Sequence, residues 1–287
     1  MKVSELVAWG EKVIAASPAI DHWERLGDRH DAENLLRLIL GEDLAPSAEV
    51  PAPARRRYAG LVRRRATGEP LSRIKGWISF RGLRIQVRPE VFVPRDSTEW
   101  LVEEALRRLK GKRDPVVVDV GTGAGPVPLA IAHEMPRALV IGTDISAPSI
   151  ALARANARRL KLPARFVVGD LLSTLPGKIV GRVHVITANV PFIGRLELPD
   201  VADEIVKFEP LISLTDNSPH GLALMERLAA TAQEWLRPGG SLLIEVASDR
   251  SRKVAALLRH AGYAEVKSTR GPMPWNRVVS GQRPARG

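Results

Sequence analysis

The chain of 287 residues contains no cysteine, which excludes a disulfide framework and a thiolate metal site. Long apolar runs are absent as well, none reaching the roughly 18–20 residues that a membrane-spanning helix needs. The opening MKVSELVAWGEKVIAA carries Glu5, Glu11 and Lys12 among its apolar residues. It therefore lacks the uncharged stretch of a signal peptide and reads as an amphipathic helix. The six histidines, at 22, 30, 133, 184, 220 and 260, show neither HxxxH nor HExxH spacing, so no metal site is expected. With 45% apolar and 26% charged residues, the expectation is a globular, cytoplasmic protein that does not enter a membrane.

What the chain has in excess is positive charge, +11 net, with arginine far outnumbering lysine. Such a balance suits an anionic partner (nucleic acid, ribonucleoprotein or acidic protein) and equally suits a solvated, Arg-rich surface. The clusters RRRY (55–58) and RRR (63–65) lie at helical spacing without interleaved aromatics. They do not by themselves mark a nucleic-acid groove.

Residues 1–72 read as a helical domain. HDAENLLRLILGED places Asp31 near a helix start, Leu35, Leu36, Ile39 and Leu40 on a stripe, and Gly41 as the stop. From Ile74 the period changes to two, and ISFRGLRIQVRP predicts a β-hairpin turning at Arg81-Gly82. Residues 73–90 are thus a joint to a larger domain, 91–287. That domain begins with a helix in STEWLVEEALRRLK, where Ser97 or Thr98 suggests a capping box. Strands VVVDV, ALVIGTD, ARFVVGD, VHVITAN and SLLIEVA then alternate with helical segments. Alternation of this kind predicts a mostly parallel sheet covered on both faces. A closing pair, YAEVKSTR and NRVVSGQ, suggests an antiparallel edge.

DVGTGAG follows the first of these strands and opens a helix, bringing Gly121, Thr122, Gly123, Ala124 and Gly125 to a point where backbone can approach a ligand closely. The dinucleotide fingerprint would need glycine at 126, where Pro126 stands. Asp144 ends the second strand, suited to the two hydroxyls of a ribose, and Asp170, followed by Leu171, ends the third, suited to an adenine amino group. The three strand ends describe a nucleoside cradle, and the missing pyrophosphate pattern points to S-adenosylmethionine. The fourth strand ends in Asn189-Val190-Pro191-Phe192. An amide oxygen on Asn189 and the backbone carbonyl of residue 190 can take both N–H hydrogens of a planar amide or aromatic amine, turning its lone pair toward a methyl donor. Phe192 would stack on that flat group, and Pro191 would fix the loop. Val190 supplies the same carbonyl as any residue would, and its place before a proline keeps it extended.

Assembled in this order, the chain resembles the HemK/PrmC family of protein-(glutamine-N5) methyltransferases. The resemblance runs nearly end to end, through DAENLLRLILG, GEPLSRIKGWISFRGLRIQV, VFVPRDSTEWLVEEAL, DVGTGAG, GTDIS, GD, NVPF, EPLISLTDNSPHGLALMERL, LRPGGSLLIEV and RVVSGQ. It implies an α/β fold of the class I S-adenosylmethionine-dependent type, a Rossmann-like seven-stranded sheet, with a small N-terminal helical domain for substrate recognition joined by the hairpin. It further implies S-adenosylmethionine as methyl donor, S-adenosylhomocysteine as product and no metal. Gly121 to Gly125, Asp144, Asp170 and Leu171 would hold the cofactor, and Asn189 to Phe192 the acceptor amide. The partner implied is a peptide-chain release factor met by a monomer, with nucleic acid involved only indirectly. Three positions depart from the family. Asn-Val-Pro-Phe stands for Asn-Pro-Pro-Tyr, Leu171 for an aromatic, and Asn217-Ser218-Pro219-His220-Gly221-Leu222 for Gly-Gly-x-Asp-Gly-Leu. A paralogue acting on another amide or amine, a nucleic-acid amino-methyltransferase, and a non-catalytic binding protein of the same fold stay open as alternatives.

Overall fold

The computed structural model describes residues 1–20 and 27–285; His22 and the last two residues lie outside them. By compactness the chain divides into two units, Met1–Trp77 with Asp200–Phe208, and Ile78–Pro199 with Glu209–Gly287.

The first unit contains α1 (Val3–Ala15), α2 (Asp28–Leu40), α3 (Ala52–Ala66), α4 (Leu71–Lys75) and the short helix Asp203–Phe208. Their apolar stripes meet in a core of Leu6, Val7, Ile14, Ala32, Leu35, Leu36, Tyr58 and Val62. Leu40, expected on that stripe, is exposed at the last position of its helix. A Cβ on Gly10 would collide with the Tyr58 hydroxyl, so glycine there permits α1 to close on α3. Arg65, from the RRR run, is buried rather than solvated, with Nε donating to Asp31 Oδ2 at 2.8 Å and Nη2 lying 3.6 Å from Glu204. The pattern's period of two starts later than Ile74. That residue lies in α4, which ends at the left-handed Gly76.

The hairpin follows as expected. β1 (Trp77–Phe80) and β2 (Leu83–Gln86) turn through Arg81 (φ 46°) and Gly82 (φ 75°), the two positive φ values that a tight hairpin requires. Next come α5 (Glu99–Leu109), β3 (Val116–Val120), α6 (Pro126–Glu134), β4 (Leu139–Asp144), α7 (Ala147–Leu160), β5 (Arg165–Val168) and β6 (Val183–Ala188). After α8, the Asp203–Phe208 helix already met, the chain forms α9 (Ala223–Trp235), β7 (Leu236–Ala247), α10 (Ser251–His260), β8 (Ala264–Arg270) and β9 (Asn276–Gln282).

The sheet has the order β5-β4-β3-β6-β7-β9-β8. β3 to β7 run parallel, and β9 is antiparallel to both its neighbours, β7 and β8. Helices α5, α6 and α7, with hairpin residues Phe80 and Ile85, cover one face, and α9 and α10 the other. Each large apolar side chain buried in these layers contributes about 1.5–3 kcal/mol. Strand order reverses at β3, whose two neighbours are β4 and β6. Ligand crevices of open α/β sheets form at such a switch point, beyond the carboxyl ends of the strands.

Candidate active site

Beyond β3 the glycine loop is bent tightly. Gly121, Gly123 and Gly125 all have positive φ (70°, 55° and 85°), a region closed to most side chains. The Gly125 amide donates to Thr122 O and the Thr122 amide to Thr143 O, both at 2.9 Å. Ala124 is buried, and its carbonyl accepts from Asn156 Nδ2 at 3.0 Å. Asn156 also bonds both backbone polar groups of Gln86, tying the loop to the hairpin. Packing adds a second demand at Gly125, where a Cβ would meet the Phe166 ring at 3.0 Å.

Asp144 sits beside the loop at the tip of β4. Its Oδ2 accepts the Gly123 amide and its Oδ1 the Ser146 amide, each at 2.8 Å. Burial raises its pKa, and these two bonds work against the rise. The next residue, Ile145, is 59% exposed at the strand tip, an apolar surface that sequence reasoning missed. A carboxylate with free lone pairs, an exposed apolar neighbour and open space where a Cβ of Gly123 would stand fit a nucleoside. Asp170 and Leu171 fit less directly. The Asp170 carboxylate pairs with Arg227 of α9 at 2.5 Å, and Leu171, at φ 50°, packs on the core beneath α9.

Across the switch point, Asn189 to Phe192 leave β6 beside the glycine loop. A Cβ on Gly121 would come within 3.2 Å of Val190 Cγ1 and 3.4 Å of the Asn189 carbonyl oxygen. Val190 is 3% exposed and belongs to the core, so its side chain wedges the loop in place. Asn189 Nδ2 donates to Thr98 Oγ1 and to Glu245 Oε2, both at 3.1 Å. Both amide protons are thereby used. Among the described residues nothing donates to Asn189 Oδ1 or to the Val190 carbonyl, and two acceptors remain for a ligand. The Arg250 guanidinium lies over Phe192 at 5.8 Å from the ring centre, a cation–π distance.

The segment Asn217 to Leu222 buttresses this loop. A Cβ on Gly221 would collide with the Phe192 carbonyl, and one on Gly194 with Pro219 O. Arg195 N donates to Ser218 O at 2.8 Å. Asp216 organises the segment, accepting from Ser218 and Leu224. Burial pushes its carboxyl up, but these bonds outweigh that and hold it low.

Sequence reasoning also missed the layer behind Asn189. Ser97 and Thr98 do not cap α5, since neither makes a capping bond and a 3₁₀ turn precedes the helix. Their hydroxyls serve the site instead, Ser97 Oγ donating to Glu245 Oε1 at 3.1 Å. Glu245, in β7, also accepts Asn276 Nδ2 at 2.6 Å. Burial pushes its carboxyl up to about 7 despite those bonds. Asp119, under the glycine loop, is also pushed up to about 7 by burial, while Thr187 donates to it at 2.7 Å. An alternating apolar strand hides such residues, because LLIEVA looks like core with one inexplicable acid. Among the described residues no group of three or more His, Cys, Asp or Glu is placed to hold a metal, and no helix is long and apolar enough to cross a membrane.

The strand order, the reversed β9 and the glycine loop beside Asp144 define a class I methyltransferase of Rossmann-like fold, whose class implies S-adenosylmethionine. The Methyltransferase small domain family matches residues 88–211. A T. thermophilus 16S rRNA methyltransferase, solved with AdoMet and guanosine, shares this fold at a TM-score of 0.53 and 20% identity, over 73% of this chain and 50% of that one. The release factor glutamine methyltransferase of Burkholderia pseudomallei is 38% identical over 269 residues, 90% of this chain and 93% of that protein. That of Bordetella pertussis is 36% identical over 94% of this chain and 98% of its own length. The chain belongs to the release factor glutamine methyltransferase family.

Proposed function

We propose that the protein transfers a methyl group from S-adenosylmethionine to the side-chain amide nitrogen of a glutamine in the Gly-Gly-Gln loop of a peptide-chain release factor. The observation that carries this reading is the orientation of Asn189. Its nitrogen end is bonded to Thr98 and Glu245, so its oxygen end is the one offered to an acceptor group. An amide nitrogen is a poor nucleophile because its lone pair is delocalised into the carbonyl. Asn189 Oδ1 and the Val190 carbonyl each take one of its two hydrogens. This fixes the plane of the acceptor amide and stabilises the positive charge that develops on nitrogen. Phe192 stacks on the amide, and Arg250 holds Phe192 from its other side.

S-adenosylmethionine, when bound, supplies an electrophilic methyl carbon on a cationic sulfur. The glycine loop would give backbone close approach to it, Asp144 would take the ribose hydroxyls, and Ile145 would shelve the base. The donor's chemistry would be transfer of that methyl carbon to the amide nitrogen, the carbon–sulfur bonding pair staying on sulfur. The nitrogen then sheds a proton to water, so a neutral pair of acceptors suffices and no strong base is required. Asp170 and Leu171 have a lesser part in this reading, because Arg227 and the core engage them.

The test is mass spectrometry of purified release factors incubated with this protein and S-adenosylmethionine, with Asn189→Ala as control. One methyl on the Gly-Gly-Gln glutamine, absent with Asn189→Ala, is the expected result. Unmodified release factor, alongside calorimetric binding of S-adenosylmethionine, would overturn the substrate and turn attention to other amides and amines.

A further inference from the structure

Four polar side chains converge on one carboxylate behind the acceptor loop. Glu245 is 5% exposed, and its two oxygens accept from Asn189, Ser97 and Asn276. Thr98 stands on the same side, accepting the second Asn189 proton. The three elements that deliver these groups, the turn before α5, the end of β6 and the start of β9, are far apart in sequence and meet only here.

We propose that Glu245 is a positioning residue whose ionised carboxylate decides which end of the Asn189 amide faces the acceptor. The proposal rests on the reading of Asn189 given above. A carboxylate accepts hydrogen bonds and donates none. With Glu245 ionised, a reversed Asn189 would set its Oδ1 against Glu245 Oε2, two acceptors without a hydrogen between them. It would also offer two donors to a glutamine amide that itself needs acceptors. With Glu245 protonated, its hydroxyl can donate to a reversed Asn189 Oδ1, and the preference between the two ends disappears.

Burial brings this switch into the neutral range, with the Glu245 carboxyl pushed up to about 7. The charged group nearest in influence is Asp119, itself pushed up to about 7, with Asp144 adjoining Asp119. Asn189, Thr98, Ser97 and Asn276 are uncharged, and among the described residues no cation is bonded to Glu245. Two carboxyls in one range would blur a simple pH profile, so the test must separate them.

The substitution Glu245→Gln does so. A glutamine has no proton to titrate, and because the Asn276 Nδ2 donor faces one end of the side chain its carbonyl goes to that end and its amide nitrogen, a donor, to Asn189. Glu245→Met removes the acceptor with little change of volume. The first readout is kcat for glutamine methylation against pH, with S-adenosylmethionine affinity measured by calorimetry. The native enzyme's kcat should fall through a midpoint near 7 and level off on the acid side about twofold down, as both ends of Asn189 come to be offered equally. Glu245→Gln should lack that limb and run at every pH at or below the native enzyme's acid plateau, and Glu245→Met should also lose kcat at every pH, all with little change in cofactor affinity.

The second readout needs no acceptor. The side-chain amide signal of Asn189, identified by its loss in Asn189→Ala, is followed by nuclear magnetic resonance over the same pH range. It should titrate near 7 in the native protein and stay fixed in Glu245→Gln. A titrating amide with no methylated release factor would keep the lock and remove the substrate reading. An amide signal that does not titrate, or titrates equally in Glu245→Gln, would overturn the lock whatever the substrate.

Discussion

Gly121→Ala tests how tightly the two loops of the site are coupled. Gly121 has φ 70°, and placing an L side chain in that region costs about 1–2 kcal/mol. The added Cβ would also stand 3.2 Å from Val190 Cγ1 and 3.4 Å from the Asn189 carbonyl. Val190 is 3% exposed and packed into the core below, so it can yield only by shifting the Asn189–Val190 backbone. We expect a stability loss of about 2–3 kcal/mol, and for a unit of this size about 2–4 °C in Tm per kcal/mol. Methyl transfer should fall further than stability implies, because displacement of an acceptor pair by a fraction of an ångström is felt in kcat, up to about 100-fold for a full ångström. The decisive assay is a double-mutant cycle with Val190→Ala, read by thermal unfolding and by kcat. Val190→Ala alone should cost about 1–3 kcal/mol for its cavity. Combined with Gly121→Ala it should instead relieve the clash, with a coupling of about 0.5–2 kcal/mol. Strict additivity, or an undiminished kcat in Gly121→Ala, would refute the claim that the glycine is required by the neighbouring loop.

Val190→Pro keeps the carbonyl and tightens φ, and among the described residues the Val190 amide makes no hydrogen bond that proline would remove. Its kcat should stay within about threefold of native and its stability within about 1 kcal/mol; a large loss would show that the loop is built around valine. Arg65→Met should destabilise the helical unit by about 1–3 kcal/mol, since the buried Asp31 would lose the hydrogen bond from Arg65 Nε. Urea unfolding measures this, and a change under about 1 kcal/mol would mean that the pair contributes little. Asp119 and Glu245 are both raised to about 7 from ordinary values of 3.8 and 4.5. Between those limits the folded chain holds protons that the unfolded chain has released, so stability falls as pH rises through the window. The carboxylates held low, Glu197 and Asp216, oppose this only in more acid solution. Tm should therefore be higher at about pH 5.5 than at about pH 8, and calorimetric scans showing the reverse would contradict the assigned shifts.

The sheet, its helices and the two acting loops are legible in sequence because each rests on local rules. β-branched runs make strands, and Gly121, Gly123 and Gly125 announce positive φ. Asn189 and Pro191 at a strand end announce a shaped exit. Short-range geometry also yields the hairpin at Arg81-Gly82, where two left-handed residues suffice. Tertiary structure decides the rest. Ser97 and Thr98 read as a helix cap because a cap is the nearest use for a hydroxyl before a helix, yet their partners lie 148 and 91 residues away, on Glu245 and Asn189. The RRR run reads as a solvated face, but Arg65 turns inward to Asp31 and Glu204, which no helical periodicity foretells. Asp170 stands two residues beyond the end of β5 and not at its tip, and Arg227 of a later helix claims it. Local propensity fixes what each segment can become. Which donor meets which acceptor depends on strand order, and strand order brings Glu245, Asn276 and Thr98 behind Asn189 only once the sheet has closed.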